Sequence, residues 1–308
     1  MTRAVPTLPR LTLGPVQYHW SRERLEAFYA EVAAGPAEVV YLGESVCSKR
    51  RALRLDDWLA FGEQLAEAGK EVVLSSLALI EAESELKALR RLCANGKFRV
   101  EANDIGAVRL LAEQGVPFVA GPAVNIYNQH TLALLARKGL TRWVMPFELS
   151  RATLAEILND APEGVETEVT VYGRIPLAWS ARCFTARHHN LPKDACDEVC
   201  ERYPDGLLVR TREEEPFLAF NGIQTQSAQT YALAGEIADM VGLGVDLVRV
   251  YPQAEGTDAV LTAFAGLRDG QLAAGAAQEA LEQRMPVGPC RGYWYGEPGI
   301  AAETKAVS

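Results

Sequence analysis

Short apolar runs alternate with amphipathic segments along the first 180 residues of the chain. Ser21 and Gly35 bracket the first amphipathic segment, which predicts a helix with a serine N-cap and a glycine stop. The apolar runs have the length of buried strands. Strands are predicted in this part of the chain at residues 11–20, 38–45, 71–79, 98–104, 117–128, 142–150 and 168–180. Strands that alternate with helices predict a parallel sheet with the helices packed outside it.

The pattern is less regular after residue 180. Residues 206–227 predict a hairpin or two strands, with an acidic turn at Glu213 to Glu215. A helix is predicted at 227–244 and a strand at 246–253, and two more helices follow. The last strand brings the total to about eight, which favours a closed (β/α)8 barrel over an open doubly wound sheet.

We therefore predict an α/β protein with a single (β/α)8 TIM-barrel-like domain over residues 1–308. We expect it to be irregular or incompletely closed near the cysteine-rich segment 171–200. The first strand–helix connection has no G-x-G-x-x-G, and the chain contains no G-x-x-x-x-G-K-[ST]. The two common nucleotide-phosphate motifs are therefore missing from the sequence.

The charge and hydropathy of the chain argue against nucleic-acid binding, membrane spanning and secretion. The net charge is −9 at pH 7 and no basic run occurs, so a nucleic-acid groove is not expected. The longest apolar stretch, at 72–80, is too short to cross a bilayer, and residues 1–17 lack the apolar run of a signal peptide. We expect a cytoplasmic protein, where clustered thiols bind metal or do redox chemistry more often than they form disulfides.

Polar residues stand at the predicted carboxyl ends of the strands, where barrel proteins place their functional groups. Asn, Asp, Glu and Ser at such positions also cap the following helices, so each assignment has a structural alternative. We expect several of them to share one polar pocket. The candidates are Glu44, Asn103, Asn125, Tyr127, Glu148 and Gln224, together with Tyr172 and Arg174 of the strand at 168–180.

Three cysteines fall within residues 183–200, in the pattern C-x12-C-x3-C. Cys196 and Cys200 would share one face of a helical turn, and Cys183 follows a predicted strand end. A four-iron cluster or a structural zinc site usually needs a fourth ligand. Cys47, at the carboxyl end of the second strand, is the best candidate. Cys93 and Cys290 are expected to be structural or free.

Other side chains near this segment leave alternatives open. His188 could join the cysteines in a zinc site, although solvated or hydrogen-bonded histidines are more common. Arg182, Arg187 and Lys193 would offset the negative charge of bound thiolates, or would simply be solvated. No G-x-S-x-G motif and no recognisable Ser–His–Asp arrangement is present, so a hydrolase would need a nucleophile that the sequence does not reveal.

Two stretches, YLGESVCSKRR around Cys47 and the segment 171–200, resemble the collagenase-like peptidase superfamily, and within it the ubiquinone-biosynthesis proteins. GPVQYHW, VEANDIGAVRLL, GPAVNIYN, RWVMPFELS and CRGYWYG extend the resemblance over nearly the whole chain. Peptidase-like members carry a histidine and a first cysteine where this chain has Tyr172 and Pro176. The strand therefore lacks one cluster ligand, and the resemblance implies that Cys47 supplies it instead. Because no hydrolytic constellation is present, peptidase activity is not expected.

The resemblance implies a four-iron, four-sulfur cluster on Cys47, Cys183, Cys196 and Cys200. It also implies a heterodimer with a UbiU-like partner that supports oxygen-independent hydroxylation in ubiquinone biosynthesis. A carrier of the lipid precursor is a second candidate partner, and catalytic residues stay unassigned. The alternatives are a zinc-stabilised scaffold or binding protein and, third, a hydrolase.

Overall fold

The computed structural model describes residues 8–301, in which eight parallel strands close into a barrel. Each of the first seven strands pairs with the next, and the eighth pairs with both the seventh and the first. Closure is therefore complete, as predicted for the (β/α)8 alternative. The barrel strands are β1 (Arg10–Leu13), β2 (Val39–Leu42), β3 (Glu71–Ser75), β4 (Arg99–Ala102), β5 (Phe118–Ala120), β6 (Leu140–Val144), β7 (Glu166–Trp179) and β11 (Leu247–Val250).

Helices follow the strands, and the first of them begins and ends where the sequence predicted. The Ser21 hydroxyl accepts the Arg24 N–H at 3.3 Å, and Gly35 caps the other end. The helices are α1 (Arg22–Ala34), α2 (Leu55–Glu67), α3 (Glu83–Cys93), α4 (Ile105–Glu113), α5 (Gln129–Ala136), α6 (Arg151–Asn159), α7 (Phe184–His188), α8 (Ile237–Leu243), α9 (Thr257–Arg268) and α10 (Ala274–Glu282).

An antiparallel extension interrupts the barrel pattern after β7. Gly173 has a φ of +137°, and a Cβ there would lie 2.7 Å from Tyr251 Cβ, so glycine lets β7 bend out of the barrel. Beyond the bend, β7 continues into a sheet with three further strands and a short parallel edge. These are β8 (Leu207–Arg210), β9 (Pro216–Asn221), β10 (Gln224–Ala232) and β12 (Pro289–Cys290). The irregularity expected near the cysteine-rich segment takes this form.

One prediction for this region is wrong, and another is confirmed in part. The helix predicted at 227–244 is helical only over Ile237–Leu243, because residues up to Ala232 pair with β7. The segment 206–227 holds two strands and the start of a third, with the acidic turn at 213–215 followed by a second turn at Gly222. Pairing across the sheet outweighs the helical propensity of the alanines in β10.

The barrel interior is layered by charge. A ring of apolar side chains fills its middle, namely Val39, Tyr41, Val73, Val119, Val144 and Leu247. Below it, Arg10, Arg99 and Arg142 form ion pairs with Glu71 and Glu166 at the amino ends of the strands. The side chains alternate between interior and exterior along each strand, as closure requires. At the carboxyl ends of the strands, above the apolar ring, polar side chains such as Glu101 and Asn103 surround the opening of the barrel.

No helix within residues 8–301 is both long enough and apolar enough to span a bilayer.

Candidate functional site

A cavity of about 510 Å³ opens at the carboxyl ends of the barrel strands, and we call it the mouth cavity. Four of the predicted pocket residues line it: Asn103, Asn125, Tyr127 and Glu148. Residues 176–179 of β7, beyond its bend, form one wall. The barrel rim and the antiparallel extension therefore build this cavity together.

Glu101 lies at the floor of the mouth cavity. Its Oε1 accepts the Arg249 Nη1 at 2.7 Å, and its Oε2 accepts the Ser75 hydroxyl at 2.6 Å and the Asn103 amide at 3.2 Å. Because Arg249 is fully buried against Glu101, the floor is charge-compensated. Among the described residues around this cavity, none is Lys or Arg.

Four aromatic side chains, Tyr127, Phe147, Trp179 and Tyr251, contribute to the walls of the mouth cavity. Phe147 and Tyr251 stack with ring centroids 6.0 Å apart. The Tyr127 hydroxyl donates to Glu148 at 3.1 Å, and burial together with the Glu148 charge raises the pKa of Tyr127 to about 12. Aromatic faces beside amide and hydroxyl groups suit a planar ring that carries hydroxyl substituents.

The other four predicted pocket residues lie elsewhere. Tyr172 is buried and donates to Gln253 at 2.9 Å, and Arg174 donates to the main-chain oxygen of Asp205. Gln224 is fully buried behind the cavity wall, and Glu44 lies on the loop that carries Cys47. Strand ends thus located the mouth correctly, but the Arg174 side chain is directed to Asp205 and not into the cavity.

A second, much smaller cavity is surrounded by Cys47, Cys183, Cys196 and Cys200, and we call it the cysteine cavity. All six cysteines of the chain are free thiols. The two that lie outside the cysteine cavity, Cys93 in α3 and Cys290 in β12, are buried. Four free thiols, one from the loop after β2 and three from the segment after β7, therefore surround one space.

Glu44 shapes the loop between β2 and α2 that carries Cys47. Its Oε1 accepts the Val46 N–H at 2.8 Å and the Cys47 N–H at 3.0 Å. It also lies 3.6 Å from Arg50 Nη1. Burial raises the pKa of Glu44, while Arg50 and these two N–H groups oppose the rise. Glu44 therefore positions Cys47 instead of lining the mouth cavity.

The other three cysteines lie on a loop fastened to the β9–β10 turn. Phe184 N–H donates to Gly222 O at 3.0 Å, and Cys183 Sγ accepts the Ala186 N–H at 3.3 Å. The helical turn predicted from Cys196 to Cys200 is wrong. Asp197 and Glu198 have left-handed φ values of 48° and 50°, so the chain reverses tightly between the two cysteines.

One buried cation faces the cysteines, and the sequence reasoning missed it. Arg50 lines the cysteine cavity together with Cys47 and Cys200. Burial raises the pKa of Cys47 to about 11 and also raises that of Cys200, and in both thiols Arg50 is the main opposing influence. Of the predicted flanking cations, Arg182 and Arg187 are exposed, and Lys193 pairs with Glu81.

The predicted histidine alternative finds no support in the geometry. His188 is exposed, and His189 shares a hydrogen bond of 2.8 Å with the Tyr203 hydroxyl. Within residues 8–301, no three His, Cys, Asp or Glu side chains converge closely enough to hold one metal ion. Thiols are nevertheless the donors that iron–sulfur clusters use, and a buried guanidinium would balance their charge. The residues of the cysteine cavity fit such a group.

Trp179 separates the two cavities. It lines the mouth cavity and also packs against the small apolar cluster of Val46, Cys47 and Ile223. The two cavities are therefore neighbours across one layer of side chains.

Known proteins resemble this chain over different extents. The tRNA hydroxylation protein P of Haemophilus influenzae (strain ATCC 51907 / DSM 11121 / KW20 / Rd) is 25% identical over 167 residues, 53% of this chain and 35% of that protein. The tRNA hydroxylation protein P of Escherichia coli (strain K12) is 31% identical over 90 residues, 29% of this chain and 20% of that protein. The matches thus span about a third or less of the relatives.

A solved structure of the U32 peptidase Mk0906 aligns with 82% of this chain and 96% of its own, at 12% identity and a TM-score of 0.46. The model of peptidase family U32 matches residues 23–299, which include all four cysteines of the cysteine cavity. This chain belongs to peptidase family U32.

Proposed function

We propose that this chain is a UbiV-like iron–sulfur subunit of a UbiU–UbiV-type heterodimer that hydroxylates the ubiquinone ring precursor without O2. The observation that carries the proposal is the cysteine cavity, where four free thiols from two loops face the buried Arg50. Membership of family U32 and the similarity to tRNA hydroxylation proteins support a hydroxylation role.

Cys47, Cys183, Cys196 and Cys200 would hold a four-iron, four-sulfur cluster, which supplies one-electron transfer when bound. Four thiolate ligands leave no iron open to substrate, so the ring is expected to bind elsewhere. The mouth cavity is the place that this chain offers, since its aromatic walls would stack on a ring. The absence of Lys and Arg among its described lining residues disfavours a carboxylated or phosphorylated ring.

A structural zinc site fits the cysteines less well. Zn–S bonds of about 2.3 Å in a tetrahedron bring the sulfur atoms to within about 3.8 Å of each other. The four cysteines surround a cavity without converging on one point. A four-iron cluster distributes its thiolates over four iron atoms and does not require that convergence.

The test is anaerobic co-expression with a UbiU-like partner, followed by iron and sulfide counts, absorption near 400 nm and electron paramagnetic resonance after dithionite reduction. Cys47→Ala should lose iron and sulfide from this chain. Cys93→Ala is the matched control, because this thiol is buried in α3 away from the cavity, and it should keep both.

The complex should also hydroxylate 2-prenylphenol (a short prenylated phenol) in the absence of O2, with cell extract from anaerobic culture as the source of the oxygen donor. Colourless protein with one zinc per chain would refute the cluster. Unchanged iron in Cys47→Ala would remove Cys47 from the ligand set, and a cluster-loaded complex without hydroxylation would refute the activity.

A further inference from the structure

Buried amide side chains lead from the mouth cavity into the antiparallel extension. Gln17 lines the mouth cavity, and its Oε1 accepts the Gln226 side-chain N–H at 2.9 Å. The same Gln226 Nε2 lies 2.9 Å from Gln224 Oε1, which also accepts the Asn221 amide at 3.0 Å. These contacts join the loop after β1 to β9 and β10, more than 200 residues further along the chain.

Arg50 is the other end of this path. Its Nη2 donates to Asn221 Oδ1 at 2.6 Å, and its Nη1 donates to the main-chain oxygen of Gln17 at 2.6 Å. Asn221 Nδ2 donates to the same Gln17 oxygen at 2.8 Å. We call Gln17, Gln226, Gln224, Asn221 and Arg50 the amide relay. It joins the mouth cavity to the cysteine cavity without a break.

The amide relay lowers the folding stability of the protein relative to an apolar interior. All five residues are buried, with between 0% and 6% of their surface exposed. Three of their polar atoms, Arg50 Nε, Gln224 Nε2 and Gln226 Oε1, are buried without a hydrogen-bond partner in the described structure. Leaving such an atom unpaired costs about 1–3 kcal/mol, so apolar residues of similar shape would give a more stable wall. Stability alone therefore does not account for this composition.

We propose that the amide relay couples ligand binding in the mouth cavity to the reduction potential of the group held by the four cysteines. The ligand class is an uncharged phenol, whose hydroxyl would hydrogen-bond the Gln17 side chain between the aromatic walls. The inference rests on the proposed function, because it takes the cluster as the occupant of the cysteine cavity.

The physical basis is the position of the Arg50 charge. A buried cation beside a cluster stabilises the reduced form, which carries one more negative charge, and hydrogen bonds to the ligand sulfurs tune the potential further. A phenol that hydrogen-bonds the Gln17 side chain would change the strength of the hydrogen bond from Gln226 Nε2 to Gln17 Oε1. Because buried hydrogen bonds polarise one another along a chain, the next bonds in the relay would change as well. The change reaches Asn221 and then the guanidinium. Linkage requires that the potential and the ligand affinity respond together.

The experiment uses the anaerobically purified complex and follows the cluster signal that Cys47→Ala removes. Redox titration with dithionite and mediators gives its midpoint potential, with and without saturating 2-prenylphenol. Calorimetry gives the Kd of the same probe for the oxidised and the reduced complex. We expect the two Kd values to differ at least about threefold, which corresponds to a shift of about 30 mV for one electron.

Gln226→Met cuts the side-chain route from Gln17 to Gln224 and Asn221 while conserving side-chain length, and it leaves the main-chain contacts of Gln17 with Arg50 and Asn221 in place. It should keep the iron and sulfide content of the wild type and still bind 2-prenylphenol, but lose the shift in potential. Gln229→Met is the matched control, because Gln229 lies on the same strand outside the relay, and it should retain the shift. If Gln226→Met fails to fold, Asn221→Leu interrupts the relay one step nearer Arg50 and should abolish the shift in the same way.

Three results would overturn the inference: an unchanged potential when the probe is bound, a shift that persists in Gln226→Met and Asn221→Leu, or no binding of 2-prenylphenol. Each can occur with full iron and sulfide content, which leaves the proposed cluster standing. Loss of the cluster from the wild-type complex is the separate outcome that refutes the proposed function itself.

Discussion

Arg249 donates from Nε to Glu168 Oε1 at 2.7 Å, and both side chains are completely buried inside the barrel. Arg249 lies on β11 and Glu168 on β7, the pair of strands that closes the barrel. The Arg249 guanidinium also lies 4.0 Å from the ring centroid of Tyr41 and pairs with Glu101 below the mouth cavity. One cation is therefore shared between two buried carboxylates at the closure.

Arg249→Met should destabilise the protein by about 3–5 kcal/mol, because it leaves Glu101 and Glu168 buried without their cation. Urea unfolding at neutral pH measures the loss. Arg109→Met is the matched control, since Arg109 pairs with Glu113 on the exposed face of α4 and should change stability by about 0.5 kcal/mol or less. Similar losses in the two variants would contradict a special role for the buried pairs.

Glu71, at the amino ends of the strands, should make stability sensitive to acid. Burial by itself would raise its pKa, but the Arg142 and Arg10 guanidiniums outweigh burial and hold the pKa below the ordinary value of 4.5. Because the folded-state pKa is the lower one, the stabilisation is complete above pH 4.5 and is lost as the pH falls through the folded-state pKa.

Glu71→Gln should therefore be less stable than the wild type at pH 7 and should lose less stability on acidification. Urea midpoints between about pH 7 and pH 3 test this. Glu83→Gln, at an exposed pair with Arg90 on α3, should follow the wild-type curve. Parallel curves for wild type and Glu71→Gln would contradict the prediction.

Gly43 should be needed to place the loop that carries Cys47. It has a φ of +122°, and a Cβ would lie 2.7 Å from the main-chain oxygen of Ser75. Gly69 also has a positive φ, +84°, but a Cβ there meets nothing within 4 Å. Gly69→Ala should cost about 1–2 kcal/mol, and Gly43→Ala a further 1–3 kcal/mol or so from the clash. Equal thermal unfolding temperatures for the two variants would refute the steric argument.

The free thiols should react in an order set by burial when the protein holds no cluster. Cys183 and Cys196 are partly exposed and should be alkylated first by iodoacetamide. Burial raises the pKa of Cys93 to about 11 and that of Cys290 to about 12, so both are almost wholly protonated at neutral pH. Their labelling should be slow and should rise about tenfold per pH unit between pH 7 and 9. Peptide mass spectrometry gives the order, and early labelling of Cys93 would contradict it.

The local features of this chain were readable from its sequence. Ser21 and Gly35 delimit α1 as predicted, and the alternation of apolar runs with amphipathic segments led to the closed barrel. Cys47 was matched to three cysteines more than 130 residues away because strand ends share one rim of a barrel. Failures occurred where β10 was taken for a helix, since its alanines hid a strand that pairs with β7.

The pairing of buried polar side chains could not be predicted from a single sequence. Nothing in SKRRALR distinguishes Arg50, which is buried against Asn221, from the exposed Arg51 beside it. Gln17 and Gln226 meet across 209 positions, and Glu101 and Arg249 across 148. Such partners leave no periodic pattern, because a hydrogen bond depends on where two side chains end in space.

By itself, the sequence determined the alternation of strands and helices and the ends of α1, and it pointed to thiols as the chemistry of segment 171–200, because these depend on local periodicity and residue type. Only the tertiary structure decided that Glu44 supports Cys47, that β7 leaves the barrel at Gly173, and that Arg50 joins two cavities. Those outcomes depend on strand register and on the bend at one glycine, which together set which distant side chains lie within hydrogen-bonding distance.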